Sequence, residues 1–196
     1  MALFLNPCFF APDEADLGPL LRPGDTFVDI GANIGALTLF AASKVGHSGE
    51  VVAIEAHPRT AKYLAENIAM NPWRNIKPLN FAIGDSEGTV HFSSRRADDM
   101  NSISDTGIKI PMRKLDDLGP FGHVRLLKID VEGFEYQVLC GARKTLENTD
   151  FVYFEYRYEH SDNCVELLRQ AGFSCNPPHR GKLECQNVLA TRLPLV

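Results

Sequence analysis

The chain has 196 residues, of which 44% are hydrophobic and 23% charged, with a net charge of −5. That suits one domain with a full core and offers no basic stripe for a nucleic-acid backbone. No window reaches the ~18 apolar residues of a membrane span.

In chain order, MALFLNPCFF opens apolar but carries no basic n-region and meets Pro7 early, so it reads as an arm rather than a signal peptide. Residues 1–24 are expected to form that N-terminal arm packing on the domain, and residues 25–196 one single domain. Thr26–Ile30 is a strand before a glycine. Ile34 to Val45 is helical, with Ile34, Leu37, Thr38 and Ala41 on one face and Gly46 as the stop. Glu50–Ala56 is the next strand. Pro58 then opens a helix whose apolar stripe is Ala61, Leu64, Ala65 and Ile68.

Ile76–Ile83 is a third strand, placed toward a sheet edge by Pro78. Thr89–Ser93 and Ile108–Arg113 are short strands around a polar loop. Arg95 and Arg96 in that loop read as solvated. Arg125–Asp130 is the fourth main strand, Gly133–Glu147 a helix, and Phe151–Arg157 the fifth strand. Ser161 or Asp162 caps a helix ending at Gly172. Phe173–Asn176 and Gln186–Leu193 form a closing pair around the NPPHRGK turn. Strand–helix alternation predicts an α/β fold, a mostly parallel sheet with helices on both faces and one antiparallel terminal strand. The five cysteines are odd in number and lack a C-x-x-C pair, so reduced thiols in a cytoplasmic protein are expected. Cys175 and Cys185 flank a turn, a weak hint of proximity.

FVDIGANIG ends the first strand in a tight turn bracketed by Gly31 and Gly35, where backbone N–H groups at the helix start favour an anionic group. Glu55 closes the second strand, beside Ala56, where a carboxylate accepts ribose hydroxyls. A dinucleotide calls for G-x-G-x-x-G, yet Asn33 stands where the diphosphate would lie. S-adenosyl-L-methionine fits better: it has no phosphate, its cationic amino group suits Asp29, and the helix start faces its carboxylate. After the third strand, a backbone N–H near Ile83 and the carboxylate of Asp85 would meet adenine. Taken alone, Asp85–Gly88 is a turn.

FVDIGANIG, AIEAHP, NFAIGDSEG, KLDDL and LLKIDVEGFEYQVLCGA together resemble the FkbM family of S-adenosylmethionine-dependent methyltransferases, over Asp25 to Tyr156. The resemblance implies a class I methyltransferase fold, a Rossmann-like seven-stranded sheet, and O-methylation of a sugar or natural-product hydroxyl. The family often has Glu-Pro where this chain has Glu55-Ala56-His57-Pro58, so the local turn is expected to differ while the acid is kept. Acceptor recognition would fall to loops such as Asp98–Gly107.

Within LLKIDVEGFE, Lys128 and Asp130 share a strand face. An unpaired buried ammonium is costly, so Lys128 is expected to pair with Glu155 or Asp130. Such a pair either serves the chemistry or locks the strand end. Asp130, at the strand's carboxyl end, is the first candidate general base and Glu155 the second. Glu132 joins the catalytic set or serves the next helix's N-terminus, and Glu135 sits on that helix's first turn. His57 and His160 rank below these acids. No metal-ligand spacing is present, and a divalent metal shared by Asp130 and nearby acids stays undecided. Two other readings stand beside the methyltransferase: a nicotinamide (NAD)-dependent oxidoreductase, and a non-catalytic nucleoside-binding module. The expected partner is a small hydroxylated acceptor, not nucleic acid or a membrane, and oligomeric state is open.

Overall fold

The computed structural model describes residues 11–73, 75–92, 107–157, 161–176 and 185–194. Residues 1–10, Arg95–Arg96, the polar loop up to 106, His160 and most of the NPPHRGK turn lie outside that set.

Seven strands form the main sheet: β1 (Thr26–Ile30), β2 (Glu50–Ile54), β3 (Ile76–Leu79), β7 (Val124–Ile129), β8 (Thr149–Arg157), β9 (Phe173–Cys175) and β10 (Cys185–Arg192). Their spatial order is β3-β2-β1-β7-β8-β10-β9. All neighbours through β8 run parallel, and β10 is antiparallel to both β8 and β9. The antiparallel member is thus last in sequence and inserts between β8 and β9. In the backbone register Cys175 pairs with Ala190, and Cys185 pairs with Arg157.

The alternation of side chains sorts the core into two layers. Val28, Ile30, Leu127, Ile129, Val152 and Phe154 face α4 (Glu135–Cys140), α5 (Arg143–Glu147) and α6 (Asp162–Gln170). Phe27, Val51, Leu126 and Tyr153 face α1 (Ala11–Leu17) and α2 (Ala36–Val45). Ala53 meets Leu64 and Ile68 of α3 (Pro58–Ala69).

Three elements differ from expectation. The run Ile76–Ile83 is not one strand: β3 stops at Leu79, at the sheet edge, and β4 (Ala82–Ile83) joins β5 (Gly88–Phe92) and β6 (Ile108–Arg113) in a second sheet. Asn80 pins the break, its amide donating to the carbonyls of Glu55 (2.7 Å) and Ala56 (2.9 Å). The stretch Gly133–Glu147 is two helices, because Gly141 abuts the Gly84 carbonyl and Asp116 accepts from the backbone of Lys144 and Thr145 (both 2.9 Å) at the start of α5. In α3 the buried face is rotated: Thr60 and Asn67 are buried with Leu64 and Ile68, while Ala65 is exposed. Asn67 fills that place because its amide donates 2.7 Å to the Ile34 carbonyl.

Candidate active site

The chain leaves β1 toward β2 and β3, then returns on the other side of β1 as β7. At this reversal, beyond the carboxyl ends of the strands, open α/β sheets bind ligands. A cavity lies there, walled by the loop after β1, the loop after β2, the Phe81–Ile83 segment and the loop after β7.

The loop after β1 is fixed by backbone. The N–H groups of Gly31 and Ala32 both donate to the Ile54 carbonyl (2.9 and 3.0 Å), and Gly35 donates to Ala32 (2.9 Å). Gly31 has φ +78°, and a Cβ there would lie 1.8 Å from the Asp130 carbonyl oxygen, so no other residue fits. Gly35 has φ +93° against Leu64; it shapes the turn and does not line the cavity. Asn33 adopts φ +50°, which its short amide side chain tolerates, and lines the wall. Its N–H donates 2.9 Å to Glu55 Oε2, and the His57 N–H donates 2.8 Å to Glu55 Oε1. Glu55 is therefore held at the cavity wall by two strands' loops. Burial pushes its carboxyl above the ordinary range, and the two N–H donors pull it back.

Lys128 is buried on the cavity floor. Its ammonium donates to the Gly31 carbonyl (2.8 Å) and stands 3.3 Å from Asp29 and 3.5 Å from Asp130. The expected pairing with Asp130 is present. The alternative with Glu155 is not, because β7–β8 register sets Lys128 beside Tyr153, whereas β1–β7 register sets it beside Asp29. Burial works against the ammonium's charge, but the Asp29 and Asp130 carboxylates outweigh it and raise its pKa. Thr38 donates 2.6 Å to the other oxygen of the fully buried Asp29, while Oδ1 meets Lys128 as an ion pair and accepts no hydrogen bond among the described residues.

Asp130, Glu132 and Phe134 line the wall after β7. Asp130 is the more open acid, with its side chain 45% exposed. Glu132 has φ +56° and does not sit on a helix start; it pairs with Arg157. Burial and the neighbouring Glu155 raise its carboxyl pKa. Glu155 lies outside the cavity wall, held 2.7 Å from Arg157 Nε. The buried Glu135 begins α4 and accepts from the N–H groups of Val131 (3.2 Å) and Gly133 (3.1 Å), bracing the loop that carries Glu132.

Ile83, Ala56 and Phe81 supply apolar wall. Asp85 does not join them. It is exposed and accepts from its neighbour Ser86, because β4 turns away into the second sheet at Gly84. Two wall residues had little or no sequence signal. His57 is buried there against Thr60 and Phe92. Asp13 arrives from α1, bonded to Tyr153, 140 positions away in the chain.

The cavity thus holds five carboxylates, Asp13, Asp29, Glu55, Asp130 and Glu132, against one ammonium, Lys128. Such a wall repels a diphosphate and attracts a cation. Among the described residues, no group of three or more His, Cys, Asp or Glu side chains is arranged to hold a metal, and no helix is long and apolar enough to cross a membrane.

The methyltransferase FkbM domain matches residues 29–175, the segment that builds nearly all of this cavity. The chain belongs to the FkbM family of S-adenosylmethionine-dependent methyltransferases. It is 32% identical over 137 residues to the hexuronic acid methyltransferase AglP of Haloferax volcanii, covering 67% of this chain and 55% of that one. It is 27% identical over 161 residues to the 2-O-methyltransferase NoeI of Sinorhizobium fredii, covering 70% and 65%. It therefore spans a little over half to about two thirds of these curated relatives. In fold it is similar to an FkbM methyltransferase structure from Methylobacillus flagellatus (TM-score 0.61, 19% identity, 86% of this chain and 43% of that one). An rRNA methylase structure from Streptococcus thermophilus shares the fold across 97% of this chain and 99% of that one (TM-score 0.61, 14% identity). The class I arrangement expected from sequence is the observed one.

Proposed function

We propose that this chain is an S-adenosyl-L-methionine-dependent O-methyltransferase acting on a hydroxyl of a saccharide or natural-product small molecule. The observation that carries the reading is the acidic cavity at the β1–β7 reversal, five carboxylates facing one ammonium. It suits a cationic cofactor and disfavours both NAD and a polyanionic acceptor such as nucleic acid. A sugar acceptor is suggested by the name of the hexuronic acid methyltransferase, and transfer to oxygen by that of the 2-O-methyltransferase. A cytoplasmic site of action, expected from unpaired thiols, belongs to the same reading.

Glu55 would accept the ribose hydroxyls, with Asn33 and Gly31 presenting backbone beside it. Ala56, Phe81 and Ile83 would cover the adenine. When bound, the cofactor supplies an electrophilic sulfonium methyl group. Asp130 would take the proton of the acceptor hydroxyl as general base, a contribution of ~10²–10⁴-fold. Lys128 holds Asp130 and the Gly31 carbonyl in fixed relation, a positioning role. Glu132 and Glu155, tied through Arg157, would shape the acceptor side.

Thermal unfolding with S-adenosylhomocysteine and, separately, NAD tests the cofactor. A ligand at 100 times its Kd adds about 2.7 kcal/mol. Stabilisation by the homocysteine compound is the expected result, and stabilisation by NAD alone would replace the reading with an oxidoreductase. Turnover follows from labelled methyl transfer to a saccharide panel. Binding without turnover on any acceptor would leave a nucleoside-binding module. Asp130→Asn should lower kcat by at least 100-fold while leaving the affinity for S-adenosylhomocysteine unchanged, within the range for a lost general base. A variant with wild-type kcat removes Asp130 from the chemistry.

A further inference from the structure

From sequence alone, the cationic end of the cofactor belongs to Asp29. The structure already pairs that acid's charge: Lys128 stands 3.3 Å from Oδ1 and Thr38 donates to Oδ2, although Oδ1, buried in the sheet, accepts no hydrogen bond among the described residues. The other cavity acids are engaged as well. Asp130 shares Lys128, Glu132 pairs with Arg157, and Glu55 accepts one backbone N–H on each oxygen.

Asp13 combines two features. Its donors are both neutral, the Tyr153 hydroxyl at 2.7 Å and the Asn187 amide at 2.8 Å. Both fall on Oδ1, so among the described residues nothing donates to Oδ2 and no cation pairs with this carboxylate. The tether is firm. Tyr153 stands beside Lys128 in the β7–β8 register, and Asn187 stands beside Glu155 in the β8–β10 register. Leu17 and Leu21 bury the same segment against Phe27 and Leu126. Burial, reinforced by Asp13 itself, pushes the Tyr153 phenol far above its ordinary range, so it remains a donor. A carboxylate fixed through one oxygen and open through the other, at a cavity wall, is matched by a ligand ammonium.

We propose that Asp13 binds the α-ammonium of the cofactor's methionyl end, which makes the N-terminal helix part of the cofactor site. The assignment rests on the cofactor reading above.

Two thioethers separate the possibilities. S-adenosylhomocysteine carries the ammonium; 5′-methylthioadenosine has the same adenosine and sulfur but lacks it. Asp13→Asn keeps an oxygen for Tyr153 and Asn187 and removes the charge. Calorimetry should show S-adenosylhomocysteine binding weakened about tenfold, the effect of one charge-assisted hydrogen bond. Methylthioadenosine binding should be unchanged, which also reports an intact fold. Equal affinities in variant and wild type overturn the proposal, as does equal weakening of both ligands or a change confined to the acceptor's KM. Should Asp13→Asn not fold, Tyr153→Phe reads the same claim: it loosens Asp13 and should weaken only the ammonium-bearing ligand. A wild-type chain that binds neither thioether overturns the cofactor reading, and this assignment with it.

Discussion

At the residue scale, charge inside the sheet is the decisive quantity. Lys128 and Asp29 are buried on neighbouring strands, and removing one member of such a pair leaves the other uncompensated. Lys128→Met should therefore cost about 3–5 kcal/mol in urea unfolding. The double change Asp29→Asn with Lys128→Met should recover much of that loss; no recovery would mean that the lysine acts through its bond to the Gly31 carbonyl instead. Glu135 carries a different signature. It is buried, and burial holds its carboxyl above the ordinary range against the pull of the backbone N–H groups it accepts. The unfolded chain then ionises first as pH rises, so folded-state stability falls between the unfolded and the folded pKa. Glu135→Gln keeps an acceptor for Val131 and Gly133 and removes that term. Its stability relative to wild type should be higher at neutral than at acid pH; a difference flat across pH would refute the shift. The need for a partner to Lys128 was legible in LLKIDVEGFE, and so was Asp130. The Asp29 partnership was not, because strand register is a tertiary fact.

At the element scale, two glycines set how elements meet. Gly31 lets the end of β1 touch the end of β7, and Gly141 lets the α4–α5 junction touch Gly84. Gly31→Ala places a Cβ into the Asp130 carbonyl at a positive φ, so a loss on the order of 3 kcal/mol is expected from overpacking and backbone strain together. Gly88→Ala is the control, since its Cβ meets nothing within 4 Å. Thermal melts should show a large drop for the first and almost none for the second. Strand and helix positions followed hydrophobic period well: β1, β6 and the start of α3 lie where expected. The misreadings fall where backbone contact overrides local pattern. The Asn80 amide divides Ile76–Ile83, and the Gly141–Gly84 contact divides Gly133–Glu147.

At the scale of the whole molecule, the centre of the main sheet carries the stability. β1 and β7 are buried on both faces, whereas the second sheet, β4-β6-β5, has an exposed side. Local opening follows such differences. Native-state hydrogen exchange should find the amides of Phe27–Ile30 and Leu126–Ile129 the last to exchange and those of β5 among the first. Equal protection of the two sheets would contradict this division. Bound S-adenosylhomocysteine should extend protection to the loops after β1 and β7.

The alternation of strands and helices, the glycine turn, the acid after β2 and the charged end of β7 were determined by the sequence alone, because periodicity, turn chemistry and strand-end position are local properties. What only the tertiary structure decided is which charges meet. Register brought Asp29 rather than Glu155 to Lys128, a diverging strand carried Asp85 into solvent, and the packing of α1 brought Asp13 to the cavity wall. Each of these joins segments far apart in the chain, and no local pattern encodes the sheet order that makes them neighbours.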